Sequence, residues 1–273
     1  MIAFEKWHGL GNDFVVIDAR DVPLPVDAPL ARAVADRRTG VGCDQLILLE
    51  RSSLADVRMR VFNADGSEVG ACGNASRCVA AKLGRAAVIE TGGGLLRTAV
   101  DGSDVTVDMG VPRFTWDRIP LAYPLDTERL PVAWDDLVDC AAVNVGNPHV
   151  VFFVPDVDAV DLARLGPLIE RDPLFPERVN VNVASIEDGG LALRVWERGA
   201  GLTLACGTGA CATAVAAIRR RLAASPVRVN LPGGELHVAW EAGGAVRMTG
   251  PATFVFAGRF DSAALAGGGA AGL

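Results

Sequence analysis

Lysine is almost missing from this chain of 273 residues, where only Lys6 and Lys82 occur. Pyridoxal-type chemistry needs a lysine amine for its Schiff base. Lys82 falls late in a predicted helix and Lys6 lies beside Trp7-His8-Gly9-Leu10-Gly11-Asn12, so neither is placed as an anchor and no cofactor is expected. The Gly9-x-Gly11 pair lacks the third glycine and the following helix of a dinucleotide fingerprint. Histidine is scarce as well: His8, His149 and His237 are scattered, and no Cys-x-x-Cys occurs, so no metal site is expected. Excess basic charge is also lacking. A net charge of -7 and a pI near 5.0 argue against nucleic acid or an acidic membrane surface as partner. The one basic run, Arg219-Arg220-Arg221, closes a predicted helix, where cations are favoured anyway.

Membrane segments are lacking too. The first twenty residues carry Glu5, Lys6, Asp13 and Asp18, so no secretory apolar region is expected. The longest uncharged stretch, Gly199 to Ile218, is broken by glycines. Its helical part would reach only about 18–20 Å, short of the ~30 Å hydrocarbon core. A fully buried helix and a cytoplasmic protein are the expectation. With 50% hydrophobic residues the chain is long enough for two domains with sizeable cores.

What is present is a repeated motif. Ala71-Cys72-Gly73-Asn74-Ala75-Ser76-Arg77-Cys78 and Ala205-Cys206-Gly207-Thr208-Gly209-Ala210-Cys211 each run into an apolar stretch, about half a chain apart. Cys72 and Cys78 are too far apart along a helix, about 9 Å, for a disulfide. Cys206 and Cys211 point to different faces. Cys43, Cys78, Cys140 and Cys211 read as small buried hydrophobes, which leaves Cys72 and Cys206 as the chemically placed pair. A cysteine at the first turn of a helix meets the positive end of the helix dipole, which favours thiolate.

Short apolar or alternating runs bounded by turn residues predict strands at 44–50, 56–63, 86–91, 104–109, 150–154, 180–186, 191–197, 227–231, 235–240 and 254–260. Helices are expected at 27–39, 73–83, 158–171 and 207–222, the third kinked or ended by Gly166-Pro167. Each half thus has strands, one amphipathic helix and one apolar cysteine helix. The pattern predicts an α+β fold built on an internal duplication. The Ala/Gly-rich tail from 263 to 273 is expected to be mobile.

Two thiols suit one reaction well. Inverting a stereocentre beside a carboxylate removes a proton from one face and delivers one to the other, and two residues in opposite protonation states do this without a single base having to cross over. A free thiol near pKa 8.5 is only slightly ionised at neutral pH, and a helix end contributes up to ~2 kcal/mol toward thiolate. The same helix ends offer backbone N–H groups at Gly73-Asn74 and Gly207-Thr208-Gly209 for a carboxylate and for developing enolate charge.

Lys6-Trp7-His8-Gly9-Leu10-Gly11-Asn12-Asp13-Phe14, Gly40-Val41-Gly42-Cys43-Asp44-Gln45, Asn63-Ala64-Asp65-Gly66-Ser67, Cys72-Gly73-Asn74, Gly146-Asn147-Pro148-His149, Arg178-Val179-Asn180 and Glu197-Arg198-Gly199-Ala200-Gly201 through Cys206-Gly207-Thr208-Gly209 occur in this order. Over residues 2 to about 258 they resemble the diaminopimelate epimerase family. The resemblance implies two pseudo-symmetric domains, 1–113 with a returning strand at about 253–262, and 114–252, each a curved mixed sheet wrapped around a central helix, with substrate in the cleft. It implies that LL-diaminopimelate and the meso form are interconverted, in lysine and peptidoglycan precursor biosynthesis, by Cys72 and Cys206 as acid/base thiols. His149 and Glu197 would support them, and Asn12, Gln45, Asn63, Gly73, Asn74, Asn147, Asn180, Glu197, Arg198, Gly207 and Thr208 would bind substrate. An arginine fork and neutral amides fit a substrate whose distal end carries its own amine and carboxylate.

The chain departs from relatives at Trp7, where many have Met, and at Phe256, where a Tyr is associated with the dimer interface. The resemblance implies a homodimer. Two other functions remain open from the residues. One is a racemase of another amino acid, of proline or histidine type, which a panel of L-amino acids separates. The other is a thiol–disulfide redox protein, which would show no solvent-hydrogen exchange.

Overall fold

The computed structural model describes residues 1–262 and Leu265, so the tail expected to be mobile lies, Leu265 apart, outside the described residues. The chain divides into two compact units, one of residues 1–107 with those from 251 onward, the other of residues 108–250.

The first unit runs β1 (Ile2–Gly9), β2 (Asn12–Asp18), α1 (Ala28–Ala35), β3 (Gln45–Glu50), β4 (Val57–Asn63), β5 (Glu68–Val69), α2 (Gly73–Leu83), β6 (Ala87–Thr91), β7 (Gly94–Asp101) and β8 (Asp104–Asp108). The second runs β9 (Ala141–Asn144), β10 (Pro148–Phe153), α3 (Leu162–Glu170), β11 (Asn180–Glu187), β12 (Gly190–Glu197), β13 (Gly201–Thr203), α4 (Gly207–Arg219), β14 (Val227–Leu231), β15 (Gly234–Ala239) and β16 (Arg247–Pro251). A final strand, β17 (Thr253–Phe260), pairs antiparallel with β1 in the first unit.

Strand for strand, the units repeat one topology. The pair β1–β2 is antiparallel, β2–β3 parallel across α1, β3–β4 and β4–β5 antiparallel, β4–β6 parallel across α2, and β6–β7 and β7–β8 antiparallel. The series β9–β10, β10–β11, β11–β12, β12–β13, β12–β14, β14–β15 and β15–β16 repeats it in the same order and sense. Register fixes the equivalences: Phe14 lies opposite Gln45 and His149 opposite Asn180 in the matching parallel pairs.

The strands are apolar on both faces because helices cover both. Val15, Ile17, Leu46 and Leu48 pack with Ala31 and Val34 of α1, while Phe14, Val16, Ile47 and Leu49 pack with Ala75, Cys78 and Val79 of α2. In α4 the small residues from Gly209 to Ala217 are buried all round, as a helix surrounded by its sheet requires.

The structure corrects the expected elements at several places. Helix α1 ends at Ala35 rather than 39, and α4 at Arg219. Pro167 does not end its helix, which runs from Leu162 to Glu170. Gly166 has no Cβ for the proline ring to meet, and a Cβ there would lie 2.5 Å from Trp196. The β1–β2 hairpin, absent from the expected strands, turns through Leu10 and Gly11 at φ 57° and 85°. That is a two-residue hairpin turn that normally announces itself by Asn-Gly or Gly-Gly.

Candidate active site

In the first unit Cys72 is the N-cap of α2, with φ -144° and ψ 117°, half-buried, and its side chain makes no capping hydrogen bond. Its Sγ lies 4.0 Å from Asn12 Oδ1, to which Asn74 Nδ2 donates at 3.2 Å. The other end of the Asn12 amide is fixed: Nδ2 donates to Asp44 Oδ2 at 2.9 Å. Asp44 also accepts from the Asp13 backbone N–H at 3.1 Å and from Arg37 at 2.8 Å. Arg37 and Lys6 in turn pair with Asp13 at 2.6 and 2.5 Å. Burial raises the Asp13 carboxyl, but the bonds from Arg37 and Lys6 outweigh it and hold it well below the usual range. A carboxylate only accepts, so Asn12 must present its oxygen to Cys72 and Asn74. On the neighbouring strands Gln45 Nε2 donates to Asn63 Oδ1 at 2.9 Å, and Asn63 Nδ2 to Ser67 at 3.0 Å. Gln45 Oε1 is buried with no partner among the described residues.

In the second unit Cys206 is the N-cap of α4 and is buried. Its Sγ accepts from Gly209 N–H at 3.3 Å and lies 3.5 Å from Thr208 Oγ1. Asn147, the counterpart of Asn12, donates through Nδ2 to Thr208 Oγ1 at 3.3 Å, and its Oδ1 is 2.8 Å from His149 Nε2. His149 Nδ1 lies 3.1 Å from Asn182 Nδ2. The ring is fully buried, and burial holds its pKa down at about 3, with the Asn182 bond opposing and the Arg198 charge adding. His149 is therefore neutral and is not a proton carrier near neutral pH.

The expected lowering of both thiols does not hold at Cys206. Burial first, and then the charge of Glu197, push it well above its usual value. The bonds from Thr208 and Gly209 N–H oppose only part of that. The helix end is real, but desolvation of a fully buried thiolate is the larger effect.

The other expected residues are spread over the same two clusters. Glu197 accepts from Thr203 at 2.6 Å and reaches Cys206 through charge and a hydrogen bond. Asn180 is engaged internally at both ends, donating to Pro148 O at 3.0 Å and accepting from Arg198 N–H at 2.9 Å. Arg198 is exposed and its guanidinium donates to Glu177 O at 2.8 Å. Gly73 and Gly207 open the two helices. Two participants escaped the sequence reading, Asp44 and Asn182. For Asn182 a signal existed: an asparagine two residues from Asn180, on the same face of an otherwise apolar strand. None of the six cysteines is in a disulfide, and no cluster of three or more His, Cys, Asp or Glu among the described residues could hold a metal ion.

The model of the family described as diaminopimelate epimerase matches residues 4–115 and 141–255. A diaminopimelate epimerase of Rhizorhabdus wittichii is 63% identical, covering 96% of this chain and 97% of its own. One of Sphingopyxis alaskensis is 64% identical over 94% and 97%, and one of Zymomonas mobilis 56% over 95% and 97%. Among solved structures, a phenazine biosynthesis protein of the PhzF family from Enterococcus faecalis superposes with a TM-score of 0.70 at 15% identity, covering 94% of this chain and 98% of its own. A hydroxyproline epimerase from Agrobacterium vitis gives 0.64 at 18%, over 94% and 90%. At these identities the structural likenesses establish a shared α+β fold.

Proposed function

This chain belongs to the diaminopimelate epimerase family, and from that premise we propose that it is an isomerase that interconverts LL-2,6-diaminopimelate and meso-diaminopimelate without a cofactor. Cys72 and Cys206 are its acid/base pair. In one direction a Cys72 thiolate removes the α-proton and the Cys206 thiol delivers one to the opposite face. The two residues end in exchanged states, and the return reaction resets them. The observation that carries this reading is the duplication itself: each unit places a cysteine at the N-cap of its buried helix and an asparagine amide against that helix end.

Protonation fits the assignment. Burial and Glu197 keep Cys206 a thiol, ready to donate. Backbone N–H groups of Gly73-Asn74 and Gly207-Thr208 at the two helix starts suit the α-carboxylate and the negative charge that develops on it. The buried acceptor Gln45 Oε1, unpaired among the described residues, suits an ammonium group, and the exposed Arg198 suits the distal carboxylate. Asn63 and Asn180 act by holding Gln45 and the Arg198 backbone.

The test is α-hydrogen exchange from LL-diaminopimelate in deuterated solvent, with reductant present. Cys72→Ala and Cys206→Ala should each lose at least about 10³-fold in epimerisation, within the usual range for general acid–base catalysis. Full epimerisation by either variant would refute the two-thiol mechanism.

The same reading makes the protein a cytoplasmic homodimer. Phe254, Val255 and Phe256 of β17 are about half exposed, at 49%, 50% and 45%, a run that a second copy would cover. Sedimentation of the wild type against Phe256→Glu tests it, with a shift toward monomer expected.

A further inference from the structure

Asn182 is fully buried in β11, and the strand positions beside it, Val181 and Val183, are apolar. Its Nδ2 has three acceptors within reach: Val150 O at 2.9 Å, His149 Nδ1 at 3.1 Å and Asn180 O at 3.3 Å. Its Oδ1 is buried with no partner among the described residues, and a Cβ on Gly209 would lie 2.7 Å from it. An unpaired buried acceptor is expensive, and an apolar side chain would avoid it. Ile47 is such a side chain at the register-equivalent position of the first unit. The cost at Asn182 calls for a role.

We propose that Asn182 is a positioning residue that locks the tautomer of His149 and thereby the direction of a hydrogen-bond chain ending on Cys206. This deepens the proposed acid/base role of Cys206 and rests on it. Two carbonyls can only accept, so the amide end facing them must be the nitrogen, and an inverted amide would set oxygen against oxygen. An amide nitrogen does not accept, so His149 Nδ1 carries no proton. The ring, kept neutral by its burial, therefore carries its hydrogen on Nε2 and donates to Asn147 Oδ1 at 2.8 Å. That commits Asn147 Nδ2 to Thr208 Oγ1, and the Thr208 hydroxyl hydrogen is left for Cys206 Sγ. Every hydrogen in the chain points toward the sulfur. Such a chain favours the thiolate over the thiol. It acts in the half-reaction in which Cys206 has given up its proton.

With only three histidines in the chain, ¹⁵N NMR of histidine-labelled protein reads the tautomer directly. The expected His149 spectrum has a bare Nδ1 and a protonated Nε2, unchanged between pH 8 and 5. An Nδ1–H ring, or a charged one in that range, overturns the proposal. In Asn182→Leu the lock is gone: the spectrum should show mixed tautomers, and kcat should fall roughly tenfold with KM changed less than about twofold. A changed tautomer with unaltered kcat breaks the link to Cys206 and overturns the proposal. The wild-type spectrum needs no variant, so a misfolded Asn182→Leu leaves the test standing. The proposed function fails separately. Full turnover by Cys206→Ala refutes the acid/base role even where the Nε2–H tautomer is found, whereas an Nδ1–H ring with inactive Cys206→Ala refutes the lock alone.

Discussion

The two units share a topology and a register, yet wire their cysteines in opposite senses. In the first unit the positions facing the cysteine helix are Phe14 and Ile47, both apolar, and Asn12 is oriented from outside by the charged set Asp44, Arg37, Asp13 and Lys6. In the second the register-equivalent positions are His149 and Asn182, and Asn147 is oriented from inside by that neutral buried pair. Asn12 therefore turns an acceptor to its helix end and Asn147 a donor. A duplicated fold can supply two cysteines by symmetry, but an acid and a base must differ: burial and Glu197 bias Cys206 toward thiol. The residues behind the asparagines oppose that bias, with an acceptor at Cys72 and a donor chain at Cys206, which keeps the exchanged state within reach.

Erasing that difference has the largest expected effect. The double variant His149→Phe/Asn182→Ile gives the second unit the apolar pair of the first. Both partners of a buried polar pair are then replaced, which is often near neutral for stability. It should fold, while kcat in the epimerisation assay falls about 100-fold. The single variant Asn182→Ile, which strands the His149 acceptor, should melt below the double. A fully active double variant would mean that the contrast between the units has no catalytic meaning.

A packing test comes next. A Cβ at Gly209 would meet Asn182 Oδ1 at 2.7 Å and Val195 Cγ2 at 3.1 Å, inside a well-packed region. The equivalent residue in α2 is Ala75, which packs on Phe14 and Ile47. Gly209→Ala should cost about 1–3 kcal/mol despite better helix propensity. Thermal melts of Gly209→Ala alone and in the His149→Phe/Asn182→Ile background check this, and the penalty should shrink where the Asn182 oxygen is gone.

The sequence made the duplication legible through its two Cys-Gly motifs, and the helix ends through ordinary capping signals. Gly84, left-handed at φ 65°, closes α2 where expected. The β1–β2 hairpin was hidden because a leucine occupies a position that usually advertises itself with glycine or asparagine. The candidate residues were legible as types, while their wiring was not. A thiol's protonation depends on burial, which a local motif does not encode, and so the helix-dipole argument pointed the wrong way at Cys206. Asn182 stood in plain view in an apolar strand, but its meaning depends on three acceptors brought from β10 and its own strand.

Acid also separates the units. His149 is held at about 3 against an ordinary 6.5, so as pH falls below 6.5 the unfolded chain takes up a proton that the folded chain refuses. This group's contribution is complete above pH 6.5 and is lost from there down toward 3, at about 1.4 kcal/mol per pH unit. Asp13 is lowered from 3.8, so its contribution is complete above that value and is lost only below it. Between pH 6.5 and 4 the second unit should weaken while the charged network of the first persists. Hydrogen exchange at pH 7 and pH 5 should show β10, β11 and α4 losing protection before β2 and β3. The His149→Phe/Asn182→Ile variant should remove the difference, and equal losses in both proteins would refute this account.

The smallest effect belongs to the exposed side of the comparison. Asp44 is 44% and Arg37 58% exposed, and pairs of that kind contribute about 1 kcal/mol or less. Asp44→Asn should hardly move the melting temperature. Its consequence is orientational: Arg37 and the Asp13 N–H compete for the new amide oxygen, and to the extent that Arg37 draws it, the amide nitrogen turns toward Asn12 and favours the inverted Asn12 amide. A donor then faces Cys72 Sγ in place of an acceptor, and a donor stabilises thiolate. Cys72 is the one cysteine of the six that is not buried, so its alkylation by iodoacetamide, followed peptide by peptide, reports the change. The pH profile of that alkylation should move to lower pH in Asp44→Asn, and Asn12→Ala should remove the dependence on Asp44. A profile unmoved by Asp44→Asn would show that the charged network does not set which end of Asn12 the first cysteine meets, and the two units would then differ on one side only.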